Sequence, residues 1–91
     1  MATIHKKVWC EYFKQIISGE KKFELRLADF NVNEGDTLIL EEWNKDKERY
    51  TGRKIEVVAT YILKTNNQTF WSPKEVEKYG FQIIQFAPKE K

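Results

Sequence analysis

The residues best suited to chemistry are three charged side chains at positions 21, 24 and 26. Lys21 offers an ammonium group, Glu24 a carboxylate, and Arg26 a planar guanidinium fork that can bind a phosphate or a base edge. A carboxylate accepts hydrogen bonds from a ring N–H or exocyclic amine, as it does from the amino group of cytosine. The alternative is an ordinary solvated strand face on which Glu24 and Arg26 simply pair with each other.

Other side chains could extend a nucleic-acid site beyond this trio. Aromatic residues that could stack on unpaired bases occur at Trp43, Tyr50 and Trp71, although aromatics in a small barrel more often belong to the core. Basic residues that could contact phosphates occur at Lys6, Lys7, Arg53 and Lys54. We therefore expect ligand contacts on several segments of the chain.

Cysteine and metal chemistry contribute little. The single Cys10 cannot form an internal disulfide, and we expect it to be a small buried hydrophobic residue. One Cys and one His cannot supply a zinc site of the usual kind, so we expect neither a metal nor a cofactor. His5 and Cys10 also lack a visible third group for nucleophilic catalysis.

Length and composition predict one compact domain over residues 1–87, followed by a polar tail over residues 88–91. The chain has 91 residues, 41% of them hydrophobic, which suits a globular protein. No apolar run approaches the ~20 residues of a membrane span. The N-terminus shows no signal-peptide core, so we expect a cytoplasmic protein. The oligomeric state is open, with a monomer as the default.

The formal net charge of +2 is too small to indicate nucleic acid, but its distribution is uneven. Residues 1–26 carry six basic and three acidic groups, or +3, and residues 49–64 carry four and one, again +3. Residues 27–48 carry two basic and seven acidic groups, or −5. The two basic segments could converge on one side of a fold, or they could be ordinary solubilising charge.

The elements that must position these residues are short strands and two helices. Period-two patterns predict strands at residues 3–8, 22–27, 37–43, 53–63 and 81–86. Helices are predicted at residues 9–18, ending at Gly19, and from Pro73 to about Gly80. Residues 44–52 are predicted to form an exposed loop, which ends at Thr51 and Gly52. We expect an α+β fold, a small and partly closed mixed β-barrel of about five strands.

The stretch Gly19-x-Lys21-x-x-Glu24-x-Arg26 resembles the G-x-K-x-x-E-x-R motif of ASCH domains, which are relatives of the PUA RNA-binding fold. The pair Gly35-Asp36 resembles the turn before the family's second strand. The pair Glu42-Trp43 and residues 50–55 resemble an uncharacterised ASCH/PUA-like subfamily found in bacteria and phages. The resemblance covers most of the chain. It implies a cleft between the first helix and a PUA-like barrel, lined by the motif.

Three functions fit this resemblance. The first is a nucleic-acid-binding module, chiefly for RNA. The second is a small hydrolase of the amidohydrolase kind acting on a modified nucleoside or nucleotide, with Lys21 as base or nucleophile and Glu24 as acid–base partner. The third is an accessory interaction domain with a relict pocket. Some ASCH proteins resemble cytidine deacylases that use a Thr where this chain has Glu24, so that activity is not carried over. An open groove reaching Arg53 would favour a polymer, and a closed pocket a nucleoside.

Overall fold

The computed structural model describes residues 1–65, 72–78 and 80–89. Five strands form one mixed sheet that curls into a half-barrel, in the order β1-β3-β4-β5-β2. The elements in chain order are β1 (Thr3–Trp9), α1 (Cys10–Ser18), β2 (Phe23–Leu27), β3 (Thr37–Asn44), β4 (Arg49–Lys64), α2 (Pro73–Lys78) and β5 (Phe81–Pro88). The expected α+β fold with about five strands and two short helices is confirmed.

The strand-to-helix unit at the N-terminus follows the predicted pattern. Helix α1 buries Phe13 and Ile16, one turn apart, while Ile17 is 48% exposed. The helix ends at Gly19, whose left-handed φ of 86° suits a residue without a Cβ, and its N–H donates to the Ile16 carbonyl. The predicted helix stop is confirmed.

The hairpin between β3 and β4 is longer than predicted. Antiparallel pairing continues to Asn44 opposite Arg49, and the turn occupies only residues 45–48. Asn44 Oδ1 accepts hydrogen bonds from the N–H groups of Asp46 and Lys47, which forms an Asx turn. The expected loop through residue 52 is therefore wrong, because Gly52 (φ 95°) lies inside β4 and does not end a loop.

The concave side of the curled sheet holds the core. Its buried apolar side chains come mainly from α1, β1, β3, β4 and β5. The largest fully buried apolar side chains are Phe13, Leu38, Leu40, Val57 and Ile84. Strand β1 pairs in parallel with β3, and β2 pairs antiparallel with β5, so β1 and β2 are the two edges of the sheet.

Edge strand β2 turns its charged face inward. Glu24 is 5% exposed, whereas Leu25 is 55% exposed and lies opposite Ile83 on the convex face. The alternative of a solvated charged face is therefore wrong at Glu24. A buried carboxylate is costly unless paired, and here two cations pair it. In the described part of the chain, no helix has the length and hydropathy needed to cross a membrane.

Candidate functional site

The candidate site is a cleft of about 510 Å³ between the two open edges of the sheet. One wall is the end of β1 at residues 7–9, the other is β2 at residues 23–26, and Tyr12 and Lys21 close the side next to α1. Trp9, Tyr12, Phe23 and Leu25 are all exposed, so the cleft is open to solvent. Its lining does not include Arg53.

Glu24 lies on the inner face of β2, with a cation at each of its two oxygens. Lys21 Nζ donates to Oε1 at 2.9 Å, and Arg26 Nη1 donates to Oε2 at 3.2 Å. The three side chains are mostly shielded from water, with exposures of 6% for Glu24, 16% for Lys21 and 27% for Arg26. Since these hydrogen bonds are charge-assisted and partly desolvated, they hold the trio in one arrangement.

The main chain fixes both cations as well. After the helix stop, the Lys21 N–H donates to the Gln15 carbonyl at 3.0 Å, and Lys21 Nζ donates to the Phe23 carbonyl at 2.7 Å. Arg26 Nη1 donates to the Lys7 carbonyl of β1 at 3.0 Å. Arg26 thus bridges the two edges of the sheet and sets the width of the cleft.

An aromatic pair at the rim was missed by the sequence analysis. The rings of Trp9 and Tyr12 are near parallel, with centroids 6.1 Å apart and an interplanar angle of 17°. They are 44% and 43% exposed. Neither residue is among the site residues that the sequence predicts. The available signal was their i, i+3 spacing at the start of a helix, which places two side chains side by side.

The other predicted contacts, apart from Lys7, lie outside the lining of the cleft. Trp43 and Tyr50 contact each other edge to face, with centroids 4.9 Å apart. Lys7 lines the cleft, but its Nζ lies 3.9 Å from the centroid of the Trp43 ring. Lys54 is exposed on β4 opposite Glu41. Lys6 Nζ lies over a ring outside the cleft, and Trp71 falls outside the described residues.

Arg53 belongs to a second buried carboxylate, Glu42 of β3, outside the lining of the cleft. Glu42, 4% exposed, accepts a hydrogen bond from Thr51 Oγ1 at 2.6 Å and lies 3.8 Å from Arg53 Nε. Burial and the neighbouring Glu42 carboxylate raise the pKa of the Cys10 thiol, which donates to the Trp43 carbonyl. A thiol with a raised pKa is a poor nucleophile, which argues against catalysis by Cys10.

The charged groups that line the cleft, one carboxylate and three cations, are not those of a metal site. No group of three or more His, Cys, Asp or Glu side chains that could hold a metal ion occurs within residues 1–65, 72–78 and 80–89. What the arrangement offers is hydrogen-bond donors on both sides of a fixed acceptor, next to exposed aromatic rings.

Comparisons with known proteins support the fold and identify relatives. The family model described as a domain of unknown function, DUF3850, matches residues 4–73. An uncharacterized 12.9 kDa protein of Escherichia phage P2 is 44% identical over 63 residues, covering 68% of this chain and 56% of that protein. The crystal structure of the hypothetical protein PH0355 aligns with a TM-score of 0.65 at 20% identity, covering 98% of this chain and all of the other.

Proposed function

The chain belongs to the DUF3850 family, and we propose that it is a nucleic-acid-binding module, chiefly for RNA, that holds an unpaired nucleotide in the cleft between β1 and β2. One observation carries this proposal. Glu24 is buried at the floor of an open cleft with Lys21 and Arg26 at its two oxygens, and an exposed aromatic pair lies at the rim.

The charge of the cleft suits a polyanion. Its lining includes the cations Lys7, Lys21 and Arg26 and the single carboxylate Glu24, for a net charge of +2. Guanidinium and ammonium groups contact phosphate oxygens through charge-assisted hydrogen bonds. Because Glu24 neutralises part of the charge at the floor, the phosphates belong near the rim and the base belongs inside.

The rim suits unpaired bases. Trp9 and Tyr12 expose nearly half of their surface, and a ring face can stack on any base. Single-stranded RNA is bound largely in this way, with splayed bases on aromatic side chains and hydrogen bonds to base edges. The cleft does not extend to Arg53, so its contacts are confined to one or two nucleotides.

The geometry supports hydrolysis less well. Among the described residues, no Ser, Thr or Cys side chain lines the cleft, and Lys21 Nζ is held by hydrogen bonds to Glu24 and the Phe23 carbonyl. We therefore expect acylated cytidines to remain intact on incubation with micromolar protein. Release of the free nucleoside would favour the hydrolase.

The experiment that tests binding compares two exposed residues of the same helix. Fluorescence anisotropy with a short unstructured RNA at low salt should show binding that Tyr12→Ala weakens about five- to 150-fold, because a stacked base contributes ~1–3 kcal/mol. Ile17→Ala, on a part of α1 that does not line the cleft, should bind like the parent protein. Circular dichroism checks that both variants fold.

Absence of binding at micromolar protein would contradict the proposal. An equal loss in both variants would place the RNA elsewhere on α1. Retention of a partner protein without any nucleic acid would favour the accessory interaction domain.

A further inference from the structure

The trio at the floor of the cleft forms a row of hydrogen-bonding groups with a defined order. Lys21 lies at one carboxylate oxygen of Glu24 and Arg26 at the other, so the order is donor, acceptor, donor. The row is held by contacts on both sides, since Lys21 also binds the Phe23 carbonyl and Arg26 the Lys7 carbonyl. A ligand therefore meets a preset pattern.

Each group retains hydrogen-bonding capacity for a ligand. Among the described residues, each oxygen of Glu24 accepts one hydrogen bond, whereas a carboxylate has about four acceptor positions. Lys21 Nζ donates two hydrogen bonds in that part of the structure and has three N–H groups. Both hydrogen bonds of Arg26 leave from Nη1, so Nε and Nη2 can serve a ligand.

We infer that the cleft selects the imide edge of uracil or thymine, an inference that rests on the proposed function. The complement of donor–acceptor–donor is acceptor–donor–acceptor, and the imide provides it through O4, N3–H and O2. Cytosine presents donor, acceptor, acceptor, and guanine presents acceptor, donor, donor. Adenine has only a donor and an acceptor on this edge.

Glu24 excludes cytosine and adenine, whose ring nitrogen on this edge is an acceptor, whereas guanine is disfavoured because its exocyclic amine would face a cation. Placing the N3 acceptor of cytosine against the carboxylate would set two acceptors face to face in a site where Glu24 is 5% exposed. An unpaired buried acceptor carries its full desolvation cost, so the mismatch is penalised more strongly than the match is rewarded. An imide is neutral, and its two carbonyl oxygens meet Lys21 and Arg26.

The test uses the whole protein and short oligonucleotides that differ in one edge. Oligo(U) should bind about five- to 150-fold more tightly than oligo(C), the range for one good base-edge contact. Oligo(N3-methyluridine) carries a methyl group in place of the central N–H, so its affinity should fall at least to that of oligo(C). Oligo(dT) carries the same imide without the 2′-hydroxyl, so a tighter complex with it would support the imide and identify DNA as its source.

A protein variant gives a second measurement. Glu24→Gln keeps the shape but can present an amide N–H to the base, so the ratio of oligo(U) to oligo(C) affinity should fall toward one. Should that variant fail to fold, the N3-methyl comparison still decides, because it leaves the protein unchanged. Equal affinities for oligo(U), oligo(C) and the methylated oligomer would overturn the inference and leave the proposed RNA binding intact. No binding by any oligonucleotide would overturn both.

Discussion

Asp36 ties the N-terminus to the turn before β3. Its carboxylate accepts hydrogen bonds from the Ala2 N–H at 2.9 Å and the Asn33 N–H at 2.8 Å. These hydrogen bonds lower the pKa of Asp36 below its ordinary value of 3.8, with the Ala2 contact contributing most. Since the unfolded chain then binds a proton more readily than the folded one, Asp36 stabilises the fold above pH 3.8.

Replacing Asp36 tests this dependence. The stabilisation is lost as the pH falls through the lowered pKa of the folded protein, so Asp36→Asn should lower the thermal midpoint at pH 7 and reduce its further decline in acid. Melting curves from pH 7 to about pH 2 measure both effects, since the carboxyl groups titrate within that range. Glu34→Gln, at an exposed carboxylate in the same turn, is the matched control. An equal decline of the thermal midpoint in acid for Asp36→Asn and the parent protein would contradict the stabilising role of the Asp36 carboxylate.

At the scale of elements, the buried face of helix α1 should contribute much more to stability than the exposed face of strand β2. Phe13 on α1 is fully buried, so Phe13→Ala should lower the free energy of unfolding by about 3–5 kcal/mol. Leu25 on the convex side of β2 is 55% exposed, so Leu25→Thr should change it by less than about 1 kcal/mol. Urea unfolding of the two variants measures both values. Comparable losses would mean that the convex face of β2 is covered.

The same two elements show what the sequence could predict. Local signals located α1, Gly19 and the trio, because helix stops and period-two alternation depend on nearby residues. They did not reveal that Glu24 points inward, since alternation defines two faces without saying which one is buried. Trp9 lines the cleft because the curl of the sheet brings edge strand β1 close to edge strand β2. No local sequence pattern encodes this long-range arrangement. The β4 start was misplaced because Thr51-Gly52 has turn chemistry but lies inside β4, at the irregularity where its pairing with β3 shifts register.

At the scale of the whole molecule, the fold separates the two basic segments. Residues 1–26 supply β1, α1 and β2, which surround the cleft, while residues 49–64 form β4, in the middle of the sheet. Among the described residues, the cations that line the cleft are therefore Lys7, Lys21 and Arg26. Because few phosphates are contacted, the affinity for RNA should fall only weakly as the salt concentration rises.

The salt dependence can be predicted and assigned to residues. For a single strand, each neutralised phosphate contributes about 0.7 to the slope of log K against log salt. Because Lys21 and Arg26 face the base, the phosphate contact of Lys7 gives a slope of about −0.7 and a loss of about threefold from 50 to 200 mM. Titrations at several salt concentrations measure the slope. Lys7→Gln should make it shallower by about 0.7, whereas Lys54→Gln, on β4 away from the cleft, should leave it unchanged. A shallower slope in Lys54→Gln would show that RNA also contacts β4, and the binding surface would then extend beyond the cleft.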